Sequence, residues 1–369
     1  MMRFVSRGWA LVLGAMALGG CSSATSSDSA YEGARSEGGG SSGGYNAGTA
    51  APGGGSSGGE SGDPSSSSGG STTGVPGGPQ SGTLTAGVWD DTLNFDFFKK
   101  YYDANPSGRI FSWLEHDAAK LRAAQSPKQQ LDVGVVFDTT GSMGDELRYL
   151  QSEMDSIATT LNQKFPGVQP RFGLVVYRDK TDQYTTQTFD FTTDLNSFKT
   201  SLNGQSAAGG GDIPEAVPEG LAAGVALSWR TDPSVARLMF FVADAPQHSG
   251  TEGQVKIALD GAVQKGVKIF PVAASGTNPA AELTMREAAQ YTGGRYIFLT
   301  DDSGVGNPHA EPHIPCYNVT RLDNAIVRMA ESEMAGARVE PAAAQVIRTV
   351  GDPKDGKCTM KDSSQVTLY

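Results

Sequence analysis

Continuous apolar runs alternate with segments of helical periodicity from residue 131 onward, and this alternation limits the possible folds most strongly. The run at 131–137 is almost unbroken, which is typical of a parallel strand buried on both faces. The next segment carries apolar residues spaced three and four apart, at Leu147, Leu150, Met154, Ile157 and Leu161. Strands and helices that alternate at this length give right-handed crossovers and a sheet covered on both faces. The sequence therefore predicts a doubly wound, mostly parallel α/β domain.

The same patterns continue through the domain. Further strands are predicted at 172–177, 183–191 (more polar, at a sheet edge), 238–242, 267–273 and 296–299. Further helices are predicted at 215–227, 254–265, 280–291 and 322–334. Pro218 must fall in the first turn of its helix, where its missing N–H is tolerated.

Three loops of this domain carry carboxylates and hydroxyls to one edge of the sheet, where open α/β sheets bind ligands. Asp138, Thr140 and Ser142 alternate along the turn after the first strand. Asp244 follows a later strand, and Asp212 ends a Gly-Gly-Gly run before a helix. Oxygen ligands of this kind suit Mg²⁺ or Mn²⁺. The alternative is that these are ordinary turn and cap residues, but three matching loops favour a metal site.

The Asp138-x-Thr140-x-Ser142 pattern resembles the metal-ion-dependent adhesion site of von Willebrand factor A domains, with Thr where Ser is more usual. Similarity to a branch of that family found in secreted proteins extends over 172–179, 209–215 and 244–248. The resemblance covers about residues 130–336. It implies the doubly wound fold, a bound Mg²⁺ (or Mn²⁺) and a partner carboxylate as the sixth metal ligand.

One departure from the family pattern concerns Asp212. Many family members carry a Thr in this loop, and Asp212 would replace it as a metal ligand, directly or through water. An additional negative ligand would hold the metal more firmly and reduce its attraction for a carboxylate of the partner. The metal would then serve structure as much as adhesion.

The N-terminus indicates export. A positively charged start and a short apolar run at 8–20 suit a signal peptide and are too short for a membrane span. The Leu-Gly-Gly-Cys sequence ending at Cys21 resembles the lipobox of bacterial lipoproteins, in which residues 1–20 are removed and the cysteine is lipidated. The absence of Asp after Cys21 resembles lipoproteins sent to the outer membrane, and the side that the protein faces is left open. The alternative is an ordinary secretory signal followed by an incidental cysteine.

Composition divides the rest of the chain. Residues 21–82 are mostly Gly, Ser, Thr and Pro, and they predict a disordered tether because they offer little apolar surface to bury. An aromatic-rich extension at 83–129 is expected to pack against the α/β domain at 130–336. Residues 337–369 form a predicted C-terminal tail.

The remaining two cysteines, Cys316 and Cys358, predict a disulfide that links the tail to the domain. Such a bridge stabilises the fold by about 4 kcal/mol in the chain-entropy model. The alternative is a metal cluster that uses His309, His313 and Cys316, but its spacing is loose and interrupted by prolines.

Charge and motifs narrow the function. A formal net charge of −11 argues against nucleic acid, which needs a basic face. The chain lacks Gly-x-Ser-x-Gly, His-Glu-x-x-His and Walker motifs, so we predict no enzymatic activity, although a metal with open positions can activate water. The prediction is a membrane-anchored, metal-dependent binding module that recognises a carboxylate on a protein or envelope ligand. The alternative is an envelope scaffold in which the metal is structural and partners dock elsewhere.

Overall fold

The computed structural model describes residues 83–123, 126–306 and 308–369. The predicted signal peptide, the lipid attachment at Cys21 and the predicted tether lie outside these ranges. Everything below concerns the described residues.

Eleven strands lie in the described residues: β1 (Thr85–Trp89), β2 (Gln130–Asp138), β3 (Arg171–Tyr177), β4 (Thr186–Thr192), β5 (Val235–Ala243), β6 (Lys268–Ala273), β7 (Tyr296–Leu299), β8 (Tyr317–Arg321), β9 (Arg348–Val350), β10 (Lys357–Thr359) and β11 (Gln365–Thr367). The same residues form eight α-helices: α1 (Phe95–Ala104), α2 (Trp113–Ala119), α3 (Gly144–Lys164), α4 (Leu195–Asn203), α5 (Val217–Ala226), α6 (Glu252–Lys265), α7 (Pro279–Thr292) and α8 (Leu322–Ala335). Short 3₁₀ turns connect several of them.

Nine of the described strands form one sheet in the order β4-β3-β2-β5-β6-β7-β1-β8-β9. Strands β3, β2, β5, β6 and β7 are adjacent and parallel. The strands on either side of these five pair antiparallel. The carboxyl ends of the parallel strands therefore meet at a single edge. The predicted mostly parallel α/β fold is confirmed.

Helices cover both faces of this sheet. On one face, α3, α4 and α8 bury residues such as Leu147, Phe198 and Ile326. On the other, α5, α6 and α7 bury residues such as Leu221 and Leu259. Burying both faces explains the uninterrupted apolar runs of the central strands. Among the described helices, none combines the length and the apolar character required to cross a bilayer.

Local signals set the ends of α7, which packs beside the N-terminal segment. The side chain of Asn278 accepts hydrogen bonds from the N–H groups of Ala280 and Ala281 at 3.0 Å, and Pro279 occupies the first turn. Both features favour a helix start. The helix ends at Gly293, whose φ of +79° suits glycine at a left-handed cap.

The N-terminal segment is part of the sheet, which the sequence did not predict. Strand β1 lies between β7 and β8 and pairs antiparallel with both. A buried ion pair supports it, because the guanidinium of Arg286 donates to both carboxylate oxygens of Asp91 at 2.9 and 2.5 Å. Phe111 stacks on Tyr291 of α7 at a centroid distance of 3.6 Å. The aromatic extension thus packs against the domain, as predicted.

The predicted disulfide is confirmed. Cys316 and Cys358 are bonded, with their Cα atoms 6.1 Å apart, and both are buried. The alternative metal cluster is not supported, because the ring of His309 contacts Asp301 at 3.0 Å and His313 is exposed. The bridge joins the segment before β8 to the β10–β11 hairpin.

Candidate functional site

The first site loop begins where β2 ends, at the fully buried Asp138. The Oδ1 atom of Asp138 accepts from the backbone N–H of Thr140 at 2.9 Å and from its hydroxyl at 2.7 Å. The Thr140 hydroxyl lies 3.4 Å from that of Ser142. The Oδ2 atom of Asp138 is buried and forms no hydrogen bond within 3.5 Å in the described residues, although the buried hydroxyl of Tyr177 lies close enough to Asp138 to lower the pKa of its carboxyl. One carboxylate oxygen is therefore fixed by the loop while the other remains available to a ligand.

The glycine-rich loop lies against this first loop through backbone hydrogen bonds. The N–H of Ala208 donates to the carbonyl of Thr139 at 3.0 Å, and the N–H of Gly141 donates to that of Gly209 at 3.2 Å. Gly209 and Gly210 have φ values of +81° and +72°, which other residues adopt only with strain. The glycine run is therefore needed for the loop to follow this path.

Glu215 is a site residue that sequence analysis missed. It is only 3% exposed, and its Oε2 atom is buried without a hydrogen-bond partner in the described part of the chain. A Cβ placed on Gly210 would lie 3.2 Å from Oε1 of Glu215 and 3.4 Å from Cβ of Thr140, so Gly210 packs between these two residues. Burial, followed by the charges of Asp138 and other carboxylates, raises the pKa of Glu215 to about 9. The sequence did offer a hint of this role, because Glu215 is an acidic residue at the end of the glycine-rich loop. Acidic residues are also common at helix starts, and the sequence pattern predicts Glu215 as the start of a helix.

Asp212 lies on the exposed part of this loop, and none of its side-chain atoms forms a hydrogen bond or ion pair with the described residues. Its neighbour Ile213 is 67% exposed. The role of Asp212 as a ligand stays a prediction, whereas the buried position of the loop near Thr140 belongs to Glu215.

The third loop places Asp244 directly after β5. Asp244 is buried, and its Oδ1 atom has no hydrogen-bond partner in the residues that the structure describes. Burial raises the pKa of Asp244, the hydroxyl of Ser142 lowers it, and the charge of Glu146 raises it. The hydroxyl of Ser142 in the first loop is therefore close to the carboxylate of Asp244 in the third loop.

Like charges accumulate at this edge. Burial raises the pKa of Asp138 to about 7, and the nearby charge of Asp244 adds to the rise. The unpartnered carboxylate oxygens of Asp138, Asp244 and Glu215 are all acceptors, which suits a cation. Across the described ranges, no three His, Cys, Asp or Glu side chains converge closely enough to hold a metal by themselves. A cation here therefore depends on the hydroxyls of Thr140 and Ser142 and on water, an oxygen ligand set that fits Mg²⁺ and Mn²⁺.

Arg178 and Tyr184 position the loops. The guanidinium of Arg178 donates to the carbonyls of Thr139 at 3.1 Å and Ser206 at 2.7 Å, and stacks over Tyr184 at 4.5 Å. The hydroxyls of Thr139 and Tyr184 are 2.8 Å apart. These contacts tie the first loop to the segment that enters the glycine run.

A second chain of contacts orients the glycine run from the other side. The Oδ2 atom of Asp182 accepts from the N–H of Gly210 at 2.9 Å and from that of Asp179 at 3.1 Å. The carboxylate of Asp179 lies 2.6 Å from Nε2 of His248. His248 is therefore engaged with Asp179 beside the candidate metal site.

Comparisons with known proteins find one family model and several solved structures that are similar to this chain. Residues 132–302 match the model of a family described as von Willebrand factor A domain. The conserved hypothetical protein BatB from Bacteroides thetaiotaomicron is similar, with 17% identity, a TM-score of 0.37, and coverage of 55% of this chain and 98% of that chain. An aerotolerance-related membrane protein from Bacteroides fragilis NCTC 9343, solved with multiple mutations to serines, has 15% identity, a TM-score of 0.33, and coverage of 47% and 93%. No curated protein matches the chain.

Proposed function

We propose that the von Willebrand factor A domain at 132–302 is a divalent-cation-dependent binding module that recognises a carboxylate on its partner. Its cation, Mg²⁺ or Mn²⁺, is held by carboxylate and hydroxyl oxygens at Asp138, Thr140, Ser142 and Asp244. The observation that carries the proposal is the pair of buried carboxylate oxygens, Asp138 Oδ2 and Asp244 Oδ1, that lack partners in the described residues. Buried acceptors of this kind are costly unless a donor or cation satisfies them.

The residues prepare the site for a cation before one binds. The Thr140 hydroxyl donates to Asp138, so its lone pairs remain available as metal ligands. Asp138 and Asp244, both buried, offset the charge of the cation, whereas the exposed Ser142 leaves the site open to solvent on one side. When bound, the cation supplies a Lewis-acidic position that attracts an anionic oxygen of the partner.

Exposed residues around the candidate metal site offer further contacts to a partner. Ile213 projects as an exposed apolar side chain from the glycine-rich loop, next to the exposed Asp212. A partner that presents an acidic residue beside an apolar one fits this surface. The proposal concerns binding and involves no catalytic step. It also includes a lipid anchor at Cys21, which would hold the module at a membrane on its predicted tether.

A structural metal is the second candidate, and Glu215 is the observation that favours it. Glu215 lies close enough to Asp138 and Asp244 for their charges to raise its pKa, so it adds negative charge near the cation although the three carboxylates do not converge on one point. If all three are ionised, the metal has less attraction for a fourth carboxylate. Partners would then dock elsewhere on the domain.

Titration of Mn²⁺ into the full chain, followed by water-proton relaxation, separates the two candidates. A binding module keeps an exchangeable water on Mn²⁺, and acetate, as a probe for the partner carboxylate, should displace it and reduce the relaxation enhancement. A closed structural site binds Mn²⁺ without an acetate effect. Asp138→Asn should weaken Mn²⁺ binding at least about ten-fold, or about 1.4 kcal/mol. Unchanged binding in this variant contradicts both candidates.

A matched pair of variants assigns the acidic ligand of the glycine-rich loop. Because Glu215 is buried at the site, Glu215→Gln should weaken Mn²⁺ binding by about ten-fold or 1.4 kcal/mol. Asp212→Asn, on the exposed side of the same loop, should leave the affinity within about two-fold. The reverse order would establish Asp212 as the ligand.

A further inference from the structure

Three arginines cluster at the edge of the sheet opposite the candidate metal site. Arg295 directly precedes β7, Arg328 lies on α8, and Arg338 follows α8. The guanidinium carbons of Arg338 and Arg295 lie 3.5 and 5.3 Å from the ring centroid of Tyr369. After burial, the positive charges of Arg295 and Arg338 lower the pKa of Arg328. The three guanidinium groups therefore lie near one another.

The three arginines have acidic neighbours, including Glu333, whose charge raises the pKa of Arg295, but not every guanidinium donor is paired. Arg295 donates to Asp90 at 3.1 Å, and Arg338 pairs with Glu340 at 2.9 Å. Arg328 is only 3% exposed, and its Nη1 and Nη2 atoms have no hydrogen-bond partner in the described ranges. Burial, and then the charge of Arg295, lowers the pKa of Arg328 to about 10, so it remains charged at neutral pH.

The arginine cluster contains hydrogen-bond donors that lack acceptors in the described residues. Besides the two Nη atoms of Arg328, Nε of Arg338 is buried without a partner among the residues described. Guanidinium groups are donors only, so these atoms can be satisfied only by acceptors. An anion with several oxygens that contacts Arg338 meets this requirement.

A cavity of about 430 Å³ adjoins the cluster. It is lined by the guanidinium-bearing Arg295 and Arg338, the hydroxyl-bearing Thr92, Thr367 and Tyr369, and Asp90. This volume falls within the range of small-molecule sites. It accommodates an anionic group together with the molecule that carries it.

We propose that this cavity binds a phosphate group, held by Arg295 and Arg338 with Arg328 as the supporting buried charge. A phosphate monoester offers three terminal oxygens and up to two negative charges, which matches the guanidinium donors of Arg295 and Arg338 better than a carboxylate does. The site is distinct from the candidate metal site, because it lies at the amino ends of the parallel strands.

The test is titration of inorganic phosphate into the full chain in EDTA, at constant ionic strength maintained with NaCl, with heat of binding as the readout. We expect saturable binding that Arg338→Gln weakens at least about ten-fold, equivalent to 1.4 kcal/mol. Arg328→Gln should have a similar effect. If that buried substitution prevents folding, Arg338→Gln, at a more exposed side chain, still decides the question.

Lys199→Gln is the matched control. Lys199 lies on α4 and pairs with the exposed Asp155, so its substitution removes one positive charge far from the cavity. Its phosphate affinity should stay within about two-fold of the wild type. Equal affinity in Arg338→Gln and wild type, or a non-saturable response shared by all variants, overturns the proposal.

Two further probes define the ligand. Acetate should bind at least about ten-fold more weakly than phosphate, and equal binding would overturn the assignment to phosphate. Glycerol 3-phosphate distinguishes the sources of the phosphate group. If it binds more tightly than inorganic phosphate, the natural ligand is a phosphate ester such as a lipid headgroup. If it binds more weakly, the natural ligand is the free phosphate ion. Either result supports the proposal.

Discussion

Replacing Asp138 by Asn removes a buried charge while keeping the hydrogen bonds of the loop. The amide oxygen that the substitution introduces would accept from the backbone and hydroxyl of Thr140, as Oδ1 of Asp138 does. The other carboxylate oxygen, buried and unpartnered within the described residues, is replaced by a neutral amide nitrogen. The substitution therefore removes the charge of Asp138 and keeps the shape of its side chain.

The size of the effect follows from the pKa of Asp138, which burial and Asp244 raise from 3.8 to about 7. At about 1.4 kcal/mol per pKa unit, the ionised form is less stable in the fold by about 4 kcal/mol. The metal-free native state therefore holds its proton more tightly than the unfolded chain does. Its stability falls as the pH rises from 3.8 to about 7 and stays low above that.

In EDTA at about pH 8, Asp138→Asn should thus unfold with a free energy up to about 4 kcal/mol higher than that of the wild type. At about pH 4 the two should differ by less than about 1 kcal/mol. Mg²⁺ at 100 times its Kd should reduce this difference at the higher pH to roughly 1.3 kcal/mol, because it adds about 2.7 kcal/mol to the protein that binds it.

Urea unfolding of the full chain measures the stability in all three conditions. Asp155→Asn, which alters an exposed carboxylate paired with Lys199, should change stability by less than about 1 kcal/mol. A less stable Asp138→Asn in EDTA at pH 8 would refute the argument from buried charge. Equal stabilisation of both proteins by Mg²⁺ would refute the role of Asp138 as a ligand.

Three further predictions concern other parts of the chain. The double substitution Cys316→Ser with Cys358→Ser should lower the free energy of unfolding by about 4 kcal/mol, and mass spectrometry of the non-reduced wild type should show the linked peptides; two unmodified thiols would contradict the bridge. Cys21→Ser should move the protein from the membrane fraction to the soluble fraction, and continued membrane retention would refute the lipid anchor. Asp91→Asn should destabilise the fold by about 3 kcal/mol in urea, because it leaves the buried guanidinium of Arg286 with only the longer contact to Glu282 at 3.3 Å, whereas a loss below about 1 kcal/mol would contradict that reasoning.

The parallel part of the sheet was predictable because burial on both faces leaves a local signal. The run at 131–137 predicted β2, which extends from Gln130 to Asp138. Strand β1 left no such signal, since its five residues contain Thr, Ala and Gly and its partners lie more than two hundred residues away in sequence. Helix α4 was missed because only Phe198 and Leu202 of its nine residues are buried.

The candidate site was predictable to the extent that it follows strand ends. Asp138 and Asp244 lie where the first and third loops were expected. The path of the glycine-rich loop depends on long-range contacts, such as that between Gly210 and Asp182, and on left-handed glycine conformations. Sequence spacing alone therefore gave no basis for distinguishing the exposed Asp212 from the buried Glu215.

Both edges of the sheet leave buried polar atoms without hydrogen-bond partners in the described residues. The acidic groups at the carboxyl edge, among them Asp138 and Asp244, leave acceptors, whereas Arg328 and Arg338 at the other edge leave donors. Each such atom costs about 1–3 kcal/mol, and more when charged. The parallel strands separate the two groups, so neither can satisfy the other and a single ion cannot serve both. Because the proposed cation site and the proposed phosphate site share no side chain, Asp138→Asn should leave phosphate binding intact and Arg338→Gln should leave Mn²⁺ binding intact.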